Sequence, residues 1–245
     1  GPSAAVYAAC SSSLVAAHVP CPSIGNGDSE LAFEGGVNLM LQPEVTIAFS
    51  KASMLSPDGR CKSFDSRANG YVRGEGCGIL VLKRLSQARA DGDPVVAVIR
   101  GSAVNQDGAT NGLTAPNRFA QEAVIRQALD NGGVDSARIG YVEAHGTSTP
   151  LGDPIEVQAL ATVLGQGAPG GGRCAIGSVK TNLGHLETAA GVAGLVKAVL
   201  VLKHRQVPAS LHFATPNPNI DFKGLKLPVN STLEPFPETG GPRIV

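Results

Sequence analysis

Residues 187–202, from Glu187 to Leu202, read ETAAGVAGLVKAVLVL, and this stretch decides the fold class. Its apolar positions run nearly all round a helix, and a helix without a polar face is expected in a core rather than on a surface. The small residues Ala189, Ala190, Gly191 and Gly194 would let neighbouring elements approach it closely. Outward from this helix, short apolar stretches alternate with helical periodicities, the pattern of α/β layering. Residues 31–41 read as a strand interrupted by Gly35 and Gly36. Residues 78–82, 95–99 and 175–179 read as buried strands, and residues 139–144 as another that ends at His145.

Two further helices carry start and stop signals. Asn117 is placed to cap a helix reaching about Asp130, with Ala120, Val124 and Ala128 on one face and Gly132 as its stop. Asp153-Pro154-Ile155-Glu156 is a second start: Asp153 as capping acceptor, Pro154 at the first helical position, and Glu156 reaching back as in a capping box. Val157, Leu160, Ala161 and Leu164 then form an apolar stripe that Gly165 ends.

The 245 residues suffice for one large domain or two small ones, with ample material for a core. Twenty basic residues balance twenty acidic ones, which argues against nucleic acid or an anionic membrane as a partner. No apolar run approaches the roughly eighteen residues of a spanning helix. Aromatic residues are 4% of the chain and Trp is absent, so a base-stacking platform is not expected. The five cysteines, Cys10, Cys21, Cys61, Cys77 and Cys174, are odd in number and form no CxxC, which favours reduced thiols in a cytoplasmic protein. There is no secretory pattern. The chain starts Gly-Pro without Met and ends in an apolar approach to a strand, so an excised fragment is expected.

Three residues stand out as chemistry. Cys10, in ACSSSL at residues 9–14, falls where a helical pattern begins, and a helix N-terminus favours thiolate. His145, in EAHGTSTP at residues 143–150, follows an expected strand and precedes a glycine-containing loop. His185, in KTNLGH at residues 180–185, sits between a strand and the apolar helix. Alone, such a Cys is more often a packing residue and such a His an ordinary hydrogen-bonded one. Two histidines at equivalent strand-to-helix junctions, with a thiol at a third, shift the balance. The Gly-Glu-Gly-Cys-Gly of residues 74–78 leads into a strand rather than a helix, which speaks against a dinucleotide loop. Residues 105–108, NQDG, lack the other ligands of a calcium loop.

The ordered series ACSSSL (9–14), MLSPDGRCKSFD (54–65), GYVRGEGCG (70–78), RGSAVNQDG (100–108), EAHGTSTPLGDPIE (143–156) and GSVKTNLGHLETAAG (177–191) resembles the ketosynthase domain of type I polyketide synthases, within the condensing enzymes of thiolase fold. The resemblance spans nearly the whole chain. It implies a layered α-β-α-β-α fold incomplete at both ends, with residues 1–100 closing the N-terminal half and 101–245 forming most of the C-terminal half. It implies that Cys10 is the acyl-accepting nucleophile, His145 and His185 the catalytic histidines, and Lys180 a lysine that organises the site. Thr147 and Thr149 match threonines that hydrogen-bond a carrier protein's phosphopantetheine. The implied reaction is decarboxylative condensation of a Cys-bound acyl chain with a malonyl-type extender, with no metal or redox cofactor. The implied partners are an acyl carrier protein, a second copy in a homodimer, and neighbouring acyltransferase and carrier domains.

The sequence also departs from the family's pattern. Tyr7-Ala8 stand where Asp-Thr is usual, and HGTST replaces the commoner HGTGT. Pro20 and Pro22 fall inside the expected nucleophile helix, where an interior proline costs about 3 kcal/mol, so that helix should kink or stop early. The family's α/β segment before the nucleophile and its Gly-Phe-Gly loop, which donates to an oxyanion hole, match nothing in these residues; the chain alone is therefore expected to be inactive or poorly soluble. The competing function is a non-elongating ketosynthase-like module that docks or gates carrier proteins, or a structural dimerisation element. Intact Cys10, His145 and His185 weigh against the first. A thiolase would need a second cysteine pattern, and a chalcone-synthase-like enzyme an Asn partner instead of His185.

Overall fold

The computed structural model describes residues 2–110, 112, 115–165, 174–237 and 241–245. Its centre is α8 (Ala190–His204), entered through a single 3-10 turn at Glu187–Ala189. On one side of α8 lies a parallel pair, β3 (Tyr141–Glu143) and β4 (Ala175–Gly177), in the register Tyr141 opposite Ala175. Single bridges extend this layer, from Ile139 to Ile244 and from Ile176 to Val229. On the other side lies an antiparallel pair, β1 (Leu31–Asn38) and β2 (Gly76–Lys83), from Leu31 opposite Lys83 to Asn38 opposite Gly76.

Packing makes these elements layers. One core joins α6 (Gly152–Leu164) to Ile176 of β4, with Val157, Leu160, Ala161 and Leu164 all buried and Ile125 and Leu129 of α5 (Arg118–Gly132) against them. A second core joins Tyr141 and Ala175 to Val201 of α8. A third joins Val192 of α8 to Leu80 of β2. The order is helix, sheet, helix, sheet, which supplies four of the five expected layers among the described residues. The outer face of β1–β2 is open: Phe33 is 74% exposed and Ile79 67%.

The smaller elements are α1 (Ser12–His18), α2 (Pro20–Asn26), α3 (Glu44–Lys51), α4 (Leu85–Asp91), α7 (Lys180–Leu183), β5 (Gln206–Val207), α9 (Phe222–Leu225) and β6 (Glu234–Pro235). The break expected at Pro20 is present. Val19 separates α1 from α2 while keeping helical angles and donating to Val15 O at 3.0 Å, and Pro20 takes the first position of the second helix. Asn117 caps α5 as expected, its Oδ1 accepting from Phe119 N and Ala120 N.

Several expectations need correction. Residues 95–99 are not a strand: they have no regular secondary structure and Val95, Val96, Val98 and Ile99 are exposed, so apolar content there marks no buried ladder. Residues 78–82 are not buried on both faces but alternate, with Ile79 and Val81 outward. Strand β1 ends at Asn38 rather than Leu41. Gly35 and Gly36 do not interrupt it: they pair with Ile79 and Gly78. Gly36 is there for close approach, because a Cβ would lie 2.7 Å from Ser13 Cβ and 3.0 Å from Ala189 Cα. The α5 helix runs through Gly132, and Gly133 takes the left-handed cap. The α8 helix is buried on its inner face only, Val196 and Leu200 being exposed. It does pack on α1, where Ser13 Oγ accepts from Val192 N at 2.9 Å.

Candidate active site

Three junctions bring their reactive side chains to one point. Cys10 lies in a 3-10 turn (Ala9–Ser11) just ahead of α1, His145 follows β3, and His185 follows α7. The Cys10 Sγ and one ring nitrogen from each histidine lie within 4.8 Å of one another. The two imidazoles meet edge-on, with centroids 5.5 Å apart. Cys10 and His145 each keep part of their surface exposed, whereas His185 is 1% exposed.

The turn carrying Cys10 is tied by Ser12, whose hydroxyl accepts from Ala8 N at 2.9 Å and donates to Ala9 O at 2.7 Å. Ala9 has φ +47°, a left-handed conformation costly for a residue with a Cβ, immediately before the thiol. Cys10 was expected to favour thiolate. Instead desolvation raises its pKa, and outweighs the lowering by Lys180's charge and by a backbone hydrogen bond, while Glu187 adds to the rise. The α-helix begins only at Ser12, so Cys10 precedes its first turn.

His145 is held through its backbone. Glu156 on α6 accepts from His145 N at 2.6 Å and from Gly146 N at 2.8 Å, so its carboxylate braces the loop rather than closing a capping box. Asp153 is likewise no N-cap. It sits within the first turn, wholly buried, and accepts from Ser148 N at 3.0 Å and Phe64 N at 2.7 Å; Gly152 N donates to Thr149 Oγ1 at 3.0 Å. Burial pushes Asp153 up to about 7 against those hydrogen bonds. Ser148, wholly buried at φ +60°, occupies a left-handed position at the site where HGTGT has glycine. Thr147 and Thr149 lie on the same loop, half-buried, with hydroxyls 3.3 Å apart.

Lys180 is buried at the start of α7, where Val179 N donates to Glu143 Oε1. Burial lowers the Lys180 pKa and raises that of Glu156, each opposed by the other's charge. Desolvation first, then the Lys180 charge, pushes His145 down to about 3 and His185 to about 2, so both rings are neutral at physiological pH. In His185 the Nδ1 accepts from Glu187 N at 2.9 Å, which leaves the proton on Nε2. Its backbone is clamped too, His185 N donating to Val72 O at 2.6 Å and His185 O accepting from Gly74 N at 2.9 Å. Such a group offers one thiol and two neutral imidazoles, suited to an acyl-accepting nucleophile beside donors for a developing oxyanion. The three donor atoms are also near enough to share a metal ion, though the Lys180 charge opposes a cation there.

A cavity of about 810 Å³ opens elsewhere, between the N-terminal segment, α1 and β1. Its walls include Ser13 and Glu34 and none of the three reactive residues.

Residues 1–88 match the family described as "Beta-ketoacyl synthase, N-terminal domain", and residues 96–214 match "Beta-ketoacyl synthase, C-terminal domain". The chain belongs to the beta-ketoacyl synthase family. It is 56% identical over 243 residues to one phenolphthiocerol/phthiocerol polyketide synthase protein of Mycobacterium tuberculosis, covering 99% of this chain and 13% of that one. Another component of the same synthase, from the same organism, is 54% identical over 243 residues, which make up 16% of its length. Among solved structures, the oxazolomycin ketosynthase domain of Streptomyces albus JA3453 superposes with a TM-score of 0.92 at 44% identity, over 96% of this chain and 41% of that one. The ketosynthase from module 6 of the bacillaene synthase of Bacillus subtilis 168 gives 0.90 at 47%, over 95% and 41%. The ketosynthase chain therefore has the thiolase-like fold and spans about two fifths of those solved chains. No helix among its described residues is long and apolar enough to cross a membrane.

In this ketosynthase segment, the buried carboxylates are what the sequence reading missed. Glu143 accepts from Val179 N, from Tyr141 OH at 2.6 Å and from Lys197 Nζ at 2.8 Å. Asp65 accepts from Ala214 N, Thr215 N and Arg67, which hold it well below the usual carboxylate range although burial opposes them. Both lie inside the quoted motifs, at EAHGTSTP and CKSFD, and that was the available signal.

Proposed function

We propose that this chain carries the reaction centre of a ketosynthase that performs decarboxylative condensation in polyketide assembly. Cys10 takes an acyl group from a carrier thioester; its thiol proton passes to the departing carrier thiol. A malonyl-type thioester then loses carbon dioxide, and the enolate oxygen is received by the Nε2–H of His185 and by His145. The enolate carbon attacks the acyl-Cys10 carbonyl, the C–S bond breaks, and a β-ketoacyl thioester remains on the carrier, while Cys10 leaves as thiolate and regains its thiol by taking a proton from water.

One observation carries this reading: the Cys10 Sγ and both ring nitrogens gather within 4.8 Å. Neutral imidazoles suit it, because an N–H donor to an enolate must not surrender its proton at rest. The raised Cys10 pKa fits a thiol that reacts within a bound thioester complex rather than a resting thiolate. Lys180 organises the charge around the two rings. Thr147 and Thr149 are the proposed contacts of the phosphopantetheine arm, and the carrier protein, a homodimeric partner copy and adjoining acyltransferase and carrier domains are the proposed partners. None of these steps draws on a metal or redox cofactor, and the setting is cytoplasmic.

The test uses a complete ketosynthase domain bearing these residues, given an acyl thioester and malonyl-carrier protein. The reading expects acyl mass on Cys10 and a β-ketoacyl product on the carrier, both lost in Cys10→Ala. Product formed by Cys10→Ala would require another nucleophile.

A further inference from the structure

Arg73 and Glu187, distant in sequence, make a bidentate ion pair beside the reaction centre. Arg73 Nη2 donates to Glu187 Oε2 at 3.0 Å and Nε donates to Oε1. The Arg73 side chain is 7% exposed and that of Glu187 19%. Arg73 is itself pinned by α3: Nη1 donates to Thr46 Oγ1 at 2.6 Å, and the guanidinium stands 5.6 Å from the Phe49 ring centroid. Glu187 has φ +47°, a left-handed conformation unfavourable for a side chain with a Cβ. That conformation is the one in which its N–H reaches His185 Nδ1.

We propose that Arg73 and Glu187 are positioning residues for His185, the ion pair holding Glu187 in the strained conformation that fixes the Nε2–H tautomer. This rests on the reading of His185 as a donor to the enolate. The His185 backbone is already fixed by Val72 and Gly74, and its ring lies against Tyr71 with centroids 5.0 Å apart. Backbone clamps and ring contact place the imidazole but do not choose which nitrogen carries the proton. Glu187 N does choose, and Arg73 is the side chain that restrains Glu187. A ring with its proton on Nδ1 would present a lone pair, not a donor, to the enolate oxygen.

The experiment uses the complete domain and three readouts: ¹⁵N shifts of the His185 ring, kcat and KM for malonyl decarboxylation, and acyl loading of Cys10 by intact mass. Arg73→Met is expected to bring in the Nδ1–H tautomer and to lower decarboxylation kcat about tenfold, less than the roughly hundredfold of deleting an oxyanion donor. KM and loading should change little, and Arg73→Lys, which keeps one charged donor, should recover part of the loss. Should Arg73→Met fold poorly, Glu187→Gln is expected to give a smaller tautomer shift in the same direction. An unchanged His185 spectrum in Arg73→Met and Glu187→Gln would overturn the proposal, as would loading, decarboxylation and melting temperature falling together. Normal decarboxylation in His185→Ala would instead overturn the parent reading. Decarboxylation lost in His185→Ala but untouched in Arg73→Met would overturn the positioning role alone.

Discussion

Two of the sheets bury their surfaces by opposite means. The β1–β2 ladder is long and regular, yet one face is open, with Phe33, Ile79 and Val81 in solvent. The β3–β4 pair is three residues long, yet α6 covers one face and α8 the other. Around the short pair, Glu143, Glu156, Asp153 and Asp65 collect backbone N–H groups from separate loops. A carboxylate inside a protein is costly unless donors surround it, so each of these fixes the loops that supply them. His145 and Lys180 sit just past the carboxyl ends of β3 and β4, where α/β sheets open their crevices. Ladder length therefore says little about where chemistry lies; the density of buried acceptors says more.

The largest effect is expected from Glu156→Ala, which strips His145 N and Gly146 N of their acceptor and removes one of the two carboxylates, with Glu143, whose charge opposes the burial of Lys180. Leaving these two backbone donors without an acceptor costs about 1–3 kcal/mol each, readable by urea unfolding, and condensation should fall with it. Retention of both would show that the His145 loop is held by something else.

A middle effect concerns pH. Burial raises the folded-state pKa of Asp153 to about 7, above its unfolded value near 4. Its contribution is therefore fully present below about pH 4 and is lost as pH rises through about 7. Melting temperatures measured across that window should fall with a component absent in Asp153→Asn. The variant itself should be less stable by about 1–3 kcal/mol, because an amide cannot accept with both atoms. An identical pH profile in the two proteins would place the titration elsewhere.

The smallest effect sharpens the contrast within β2. Ile79→Thr, on the open face, should change stability by no more than about 0.5 kcal/mol. Its neighbour Gly78 faces α8, where a Cβ would lie 2.9 Å from Val192 Cγ1, so Gly78→Val should cost about 1–3 kcal/mol. Equal costs in denaturant titrations would mean that the two faces are not packed as described.

Legibility in the sequence follows the range of the interactions. The Asn117 cap, the α6 stripe and the break at Pro20 are local, and each was readable from neighbouring residues. Residues 95–99 failed because an apolar run carries no information about whether a partner strand lies beside it. Asp153 and Glu156 looked like capping residues because that is their local role in most helices. Here their partners are N–H groups at Phe64, Ser148, His145 and Gly146, which periodicity does not reveal. The Arg73–Glu187 pair was invisible for the same reason. Cys10, His145 and His185 are found by their shared junction context and by family resemblance, whereas their approach to within 4.8 Å is made by the tertiary fold.

The central claim is a division of labour, with Cys10 carrying the acyl chain and the imidazoles serving the enolate. Parallel measurement of acyl loading and malonyl decarboxylation in His185→Ala, within a complete domain, tests it most directly. The account predicts loading close to wild type and decarboxylation reduced by roughly a hundredfold or more. Normal decarboxylation and condensation in that variant would contradict it, and would make His185 a structural residue.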